Sequence, residues 1–301
     1  MKQSFKFTCL SILAVIPIMG IVFVSTAFAE NKYDPNNKGE ISAVIDIHSD
    51  GSRINPQDKD VNSSEASPKS AREGTLLESP SLTKSDIYHA VLNSVDNYDC
   101  ASGVIKTNFL NGNDATIEYS VDMVNNKAYQ HVFFENEPFD EETYVGDGSI
   151  IVVDNTTGKE EMLGRTYSKS EDTQNYSDDR NRVTLEEGIP TYYYRLNPTN
   201  LHYASTVSIF PQEMAFGFLS NTELWDIDNI TTYLGRECVS ISGTTEKSYG
   251  QKLNIQNYSM IIDSKTGIIM SFEGRNSAEE TVSYVHTVEF TEEVSEIPTK
   301  Q

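Results

Sequence analysis

From residue 84 onward the spacing of apolar side chains changes character several times, and each change predicts an element. In "KSDIYHAVLNSVDNY", Ile87, Val91 and Val95 stand four residues apart, with Tyr88 and Leu92 alongside and Ser85 placed as an N-cap. That is one amphipathic helix. After it the period drops to two. "ASGVIKTNFL" sets Ile105, Thr107 and Phe109 on one face, and "ATIEYSVDMV" sets Ile117, Tyr119, Val121 and Met123 against Glu118, Ser120 and Asp122. Such alternation predicts half-buried antiparallel strands. "KAYQHVFFEN", "ETYVGDGSIIVVDN" and "EEMLGR" repeat it at hairpin spacing.

A polar run, "SKSEDTQNYSDDRNRVTLEEG", then predicts an exposed excursion. Pro211 suits the first turn of a short, very apolar helix over 211–220, which pairs Met214 with Phe218 and Ala215 with Leu219. The closing strands read "LWDIDNITTYLGRE", "CVSISGTTEK", "YSMIIDSKTGIIMSFEG" and "ETVSYVHTVEFTEE". The third is a hairpin hinged on Asp263-Ser264-Lys265-Thr266-Gly267, a turn ending in the residue that best tolerates positive φ. In the fourth, Val282, Tyr284, Val288 and Phe290 are expected to share a face with His286. One helix, a meander, a second helix and a closing meander place residues 84–301 in the α+β class, mostly antiparallel β, as one domain with a sizeable core.

The preceding residues have another character. Lys2 and Lys6, an uncharged run from Phe7 to Ala29 and the triplet Ala27-Phe28-Ala29 form an export signal over 1–29. The run is also long enough to be retained as a membrane anchor. Either way the two lysines keep the N-terminus cytoplasmic and place the remainder outside the membrane. Cys9 lies inside the apolar run, where no acyl cysteine of a lipoprotein stands. Residues 30–83 are polar and rich in Asn, Ser, Pro and Asp, a composition that predicts a disordered linker. Within it "ISAVIDIH" is a short apolar island, and His48 between Asp46 and Asp50 has no second cluster with which to hold a metal.

Charge narrows the partners. With 23 basic and 45 acidic residues the chain carries −22, which repels phosphate backbones and anionic headgroups and argues against nucleic acid. Catalytic patterns are missing. His89, His131, His202 and His286 are scattered, with no HExxH, no Gly-x-Ser-x-Gly and no glycine-rich phosphate cradle. Asp226 and Asp228 form a carboxylate pair that reads as solvent-facing decoration, and Tyr192, Tyr193 and Tyr194 read as a strand with aromatic rings on both faces. We therefore expect no enzyme, no cofactor and no metal. In an oxidising compartment Cys100 and Cys238 are free to pair as a disulfide.

The order of elements behind an export signal resembles the LolA/RseB superfamily of extracytoplasmic lipoprotein carriers and sensors. The passage from "TYLGRECVSISG" to "MIIDSKTGIIMSFEG" carries the likeness. Gly235, Arg236 and Glu237 stand in its inward-packing strand, and Asp263, Thr266 and Gly267 in its hairpin. "NSVDNYDCASGVIKTNF" resembles the opening in which a helix leads into the first strand. The resemblance implies a strongly curved half-barrel, an incomplete β-barrel whose concave face is lidded by helices. It also implies a hydrophobic cavity for a lipid or a lipoprotein acyl chain. Ile105, Phe109, Ile117, Tyr119, Val121, Met123, Ile262 and Ile268 would line that cavity, and Met214 and Phe218 would cover it. The alternatives are an RseB-like sensor docking on an extracytoplasmic anti-sigma factor, and an interaction domain held on a membrane-anchored stalk.

Overall fold

The computed structural model describes residues 82–110, 112–171, 182–186, 189–294 and 296–300. The export signal or anchor, the island at 41–48 with His48, and all of the expected linker except Leu82 and Thr83 lie outside the described residues. Among the described residues no helix is long and apolar enough to cross a membrane.

Helix α1 (Lys84–Leu92) begins at Thr83 rather than at Ser85. The Thr83 hydroxyl accepts from the Asp86 backbone N–H (3.2 Å), and the Asp86 carboxylate accepts from the Thr83 N–H (3.1 Å). This reciprocal capping box needs an acid three residues after the cap, which Thr83 has. Ile87, Tyr88, Ala90, Val91 and Leu92 form its buried side, and a 3₁₀ turn (Ser94–Asp96) leads into the sheet.

The strands are β1 (Cys100–Thr107), β2 (Ala115–Asp122), β3 (Lys127–Phe134), β4 (Asp140–Gly146), β5 (Ser149–Asp154) and β6 (Lys159–Arg165), then a separate hairpin of β7 (Val183–Glu186) and β8 (Ile189–Tyr192). They continue as β9 (Trp225–Tyr233), β10 (Arg236–Thr244), β11 (Asn257–Asp263), β12 (Ile269–Arg275) and β13 (Thr281–Thr291). Eleven of them form one antiparallel sheet in the order β6-β5-β4-β3-β2-β1-β13-β12-β11-β10-β9, open at β6 and β9. The final strand thus inserts beside the first and joins the two meanders.

The sheet is strongly curved. Tyr233 on β9 donates its hydroxyl to the Thr287 carbonyl on β13 at 3.0 Å. The two strands are four positions apart in the sheet, which in a flat sheet is roughly 19 Å at the usual strand spacing. Register slips in the β1–β13, β9–β10, β11–β12 and β12–β13 ladders supply the bending. The slip between β1 and β13 also redistributes the last strand's faces. Ser283, Val285 and Thr287 are its buried residues, while Val288 is 40% exposed. The expected shared face of Val282, Tyr284, Val288 and Phe290 is therefore split by the bulge, with Phe290 paired to Gly103.

The helix expected at 211–220 is present in an altered form. Helix α2 (Gln212–Met214) runs straight into a wider π-helical turn, Ala215–Leu219, and a similar turn, Ser205–Ile209, precedes Pro211. Helix α3 (Lys247–Leu253) carries no sequence signal of its own, because its single aromatic, Tyr249, sets up no periodicity. Within the polar run at 168–188, the described Arg182 is tied to the body of the fold. Arg182 is buried and donates to the Leu92 carbonyl and the Gln212 side chain, fastening the β7–β8 hairpin to both α1 and α2.

Candidate functional site: a lidded apolar face and its polar corner

Antiparallel pairing puts Ile105 opposite Ile117, Gly103 opposite Tyr119 and Ala101 opposite Val121, all on one face. On the other half of the sheet Ile241 faces Met260 and Val239 faces Ile262. The helical segments cover this face, and side-chain hydrogen bonds to their terminal carbonyls hold them there. Ser94 and Tyr98 donate to the Ile209 carbonyl at 2.7 and 3.0 Å, Tyr258 to the Phe218 carbonyl at 2.6 Å and the Trp225 indole to the Leu219 carbonyl at 3.1 Å. Helix ends leave such carbonyls without intrahelical donors, and here the sheet and the segment that follows α1 supply them. Ser208 donates to the Ile269 carbonyl (2.8 Å), and Gln130 on β3 accepts from the Ala204 N–H (3.3 Å).

Ile105, Ile117, Tyr119, Val121, Met123, Ile262 and Ile268 are buried, as are Met214 and Phe218 of the lid. Phe109 lies just beyond β1, half-buried, with its ring 6.4 Å from that of Phe218. The open cavity expected between wall and lid is not what the structure shows. Phe218 packs within 4.8 Å of Phe272, 4.9 Å of Tyr258 and 5.2 Å of Tyr249, and Phe272 meets Phe109 edge-on at 5.6 Å. The rings stopper the face. Phe272, Tyr258, Tyr249 and Trp225 were missed as site residues; the alternation within "NYSMIID" and "IMSFEG" was the available signal for the first two.

Two concavities are open to solvent. One, of about 450 Å³, is bordered by Trp225, Asp226, Ser242 and Arg275. The other, of about 680 Å³, is bordered by Gly103, Glu118, Tyr119, Tyr129, Glu289 and Phe290. Neither contains the lid.

The hairpin and strand residues that carry the sequence resemblance meet at one corner of the sheet. Arg236 grips Asp263 through two hydrogen bonds (2.6 and 3.2 Å) and reaches Glu292 at 2.7 Å. Asp263, 1% exposed, also accepts from the Thr266 N–H (2.8 Å) and hydroxyl (2.7 Å), which closes the turn. Glu237 contributes its carbonyl, which receives the Ser264 hydroxyl at 2.7 Å. Gly267 has φ +76°, and a side-chain carbon there would stand 2.2 Å from the Ala90 carbonyl of α1, so only glycine fits. These residues are structural: they fix α1 and the β11–β12 turn against β10.

Tyr119 adjoins this corner. Its hydroxyl is buried and has no hydrogen-bond partner among the described residues. Burial pushes its pKa up, and the nearby Arg236 charge opposes that shift.

The other candidates separate. Cys100 and Cys238 are free thiols, with β13, β12 and β11 between their strands. A disulfide needs Cα atoms within about 7 Å, so the expected pairing gives way to two isolated cysteines. Cys238 is fully buried, and desolvation, aided by the Asp263 charge, pushes its thiol pKa up to about 11. Tyr192 is buried against Phe216 (4.8 Å) while Tyr194 is 42% exposed. Arg195 pairs with Asp96 at 2.7 and 2.9 Å, so this run braces the end of α1. Asp226 is an exposed partner of Lys84 (2.8 Å), and Asp228 accepts from Ser242 (2.7 Å). His286 faces Glu273 at 3.6 Å on a half-exposed surface. Among the described residues no group of His, Cys, Asp and Glu side chains is arranged to hold a metal.

The open antiparallel sheet with a helical cover is the architecture that the LolA/RseB resemblance implies. No protein-family model matches the chain, and no curated protein matches it. Among solved structures it is similar to an uncharacterised conserved protein from Thermus thermophilus, at 6% identity and TM-score 0.34, covering 69% of this chain and 85% of that one. It is similar to the lipoprotein LppX of Mycobacterium tuberculosis, at 12% identity and TM-score 0.34, covering 69% and 94%. It is also similar to the Pseudomonas aeruginosa MucA/MucB complex, at 9% identity and TM-score 0.34, covering 69% of this chain and 56% of the matched one.

Proposed function

We propose that this chain is a non-catalytic extracytoplasmic binding protein that takes the acyl chain of a lipid or lipoprotein between its curved sheet and its helical lid. One observation carries the reading. Phe218 of the lid packs on Phe272, Tyr258 and Phe109 across the apolar face, so these rings occupy the space that a guest would fill. An acyl chain entering there needs no charged pocket, because each buried methylene contributes about 0.8 kcal/mol. Phe109, Phe218 and Phe272 would part to admit it. The export signal read over 1–29 supplies the extracytoplasmic setting.

Native mass spectrometry after gentle purification tests this. A reproducible acyl-sized adduct is expected on the wild-type protein and is expected to be lost in a folded Met214→Asp variant, which places a charge beneath the lid. A wild-type protein that neither carries nor takes up an acyl chain refutes it.

A second reading, docking on an extracytoplasmic anti-sigma factor domain, is favoured by one feature. The sheet ends at β6, where Met162 is 71% exposed and Leu163 63% exposed. A strand added by a partner would slow amide exchange in Lys159–Arg165, and unchanged exchange in the presence of that partner argues against docking there.

A further inference from the structure

The buried hydroxyl of Tyr119 is an anomaly: Gln130, paired with it, and Thr107, on the same face, have bonded polar atoms, and it has no partner. Buried hydroxyls nearly always find a partner, and leaving one without costs free energy. Tyr119 lies across the strand from Gly103. A side-chain carbon at Gly103 would stand 3.2 Å from the Tyr119 oxygen and 2.1 Å from the Glu289 carbonyl. The glycine therefore places no side chain between the hydroxyl and β13, where Phe290 lies against the Arg236 guanidinium at 4.8 Å.

The position has a direction. Gly103 is four residues from Thr107 along β1, roughly 13 Å, and at the Thr107 end stand Val285 and, paired to it, Phe272 of the aromatic stopper. Behind Tyr119 the polar corner reaches solvent through Lys265, whose side chain is 53% exposed and which bonds Glu292. The face thus runs from the polar corner, past the unpartnered phenolic O–H, to the aromatic rings.

On the acyl-binding reading given above, we propose that the Tyr119 hydroxyl donates to the carbonyl at the head of the bound acyl chain. It thereby orients the chain with its head toward the Arg236–Glu292 corner and its tail toward Phe272. The chemistry selected is an ester- or amide-linked acyl group, as against an ether-linked alkyl group of the same length.

Two lysophosphatidylcholines that share headgroup and chain length, one tetradecanoyl ester and one tetradecyl ether, isolate that carbonyl. Each is titrated below its micelle concentration against wild type and Tyr119→Phe, by displacement of cis-parinaric acid. The wild type is expected to favour the ester about tenfold, the worth of one neutral hydrogen bond. Tyr119→Phe is expected to bind both lipids at the wild-type ether affinity, with an unchanged or higher Tm because only an unpartnered oxygen is removed. Acyl binding that persists with no ester preference, or with a preference that survives in Tyr119→Phe, overturns this assignment alone. A lowered Tm in Tyr119→Phe does the same, since it gives the hydroxyl a structural partner. Failure of the wild type to bind either lipid or the probe removes the acyl-binding reading together with it.

Discussion

Truncating Phe218 to Ala separates a lid from an ordinary core. The side chain is 3% exposed and packs on Phe272, Tyr258, Tyr249 and Phe109. Its backbone carbonyl is held by Tyr258, so the chain should stay in place when the ring goes. Loss of a buried Phe to Ala costs about 3–5 kcal/mol of stability. In the wild type an acyl chain must first displace this ring, whose burial stabilises the closed face by about 2–3 kcal/mol. In Phe218→Ala that opposing contribution is gone, so acyl affinity should rise roughly 30- to 150-fold. Since the ligand binds only the folded state, it should also raise the variant's Tm more than the wild type's. Fluorescence titration with cis-parinaric acid, paired with thermal melts with and without ligand, measures both. A folded Phe218→Ala whose acyl affinity is equal to or weaker than wild type would show that the ring is plain core.

At the polar corner, Asp263→Asn is expected to cost about 3 kcal/mol in urea unfolding, because it leaves the Arg236 charge only partly compensated; a loss below about 1 kcal/mol would contradict the structural role of the turn. Glu141 on β4 has its pKa raised to about 7, first by burial and then by the Asp154 and Glu161 charges, against a lowering hydrogen bond from Tyr203. The folded state then holds a proton that the unfolded state releases near the ordinary carboxyl value. Stability from this group is complete below about pH 4.5 and is lost as pH rises to about 7. Glu141→Gln should match wild type at pH 4.5 and be the more stable at pH 8, and identical Tm-versus-pH curves for the two would refute this. Peptide-mapped alkylation under native conditions should modify Cys100 in preference to Cys238, with both fully modified after unfolding without reductant; a cross-linked Cys100–Cys238 peptide would contradict the structure.

Much of this fold was legible because period-two alternation reports directly which strand face is buried. Ile105, Ile117, Tyr119, Val121 and Ile262 came out on the covered face for that reason. The faults arose where local chemistry overrides the period. A bulge at Val288 exchanges the faces of β13, which no count of alternate residues can foresee. An acid at N3 moves the α1 cap to Thr83. The stopper was illegible for a different reason. Whether a curved apolar face is open or plugged depends on how far Phe218, Phe272 and Tyr258 reach across it, and that follows from sheet curvature rather than from composition. The Arg236–Asp263 grip was half legible: the residue types matched a recurring pattern, but their meeting depends on β10 and β11 being neighbours.

The two ends of the covered face are held by different physics, and that difference says where it can open. α1 is seated by a glycine that admits only the Ala90 backbone, by Asn97 donating to the Thr266 carbonyl (3.2 Å) and by a turn closed through a buried, doubly gripped carboxylate. Its last carbonyl, Leu92, accepts from the Arg182 guanidinium, so displacing it would break a charge-assisted bond together with packing. The lid from Ser205 to Leu219 is held by ring contacts, by neutral bonds to its terminal carbonyls and from Ser208, and at Gln212 by the Arg182 guanidinium, and Pro211 divides it into two short turns. Ring contacts are non-directional and can be remade with an alkyl chain, whereas the Arg236–Asp263 geometry cannot. The least costly opening therefore swings the Ala215–Leu219 turn, beyond the Arg182 grip on Gln212, away from Phe109 and Phe272 while α1 and the Asp263 turn stay fixed, and the guest that best repays that motion is one that replaces rings with methylenes.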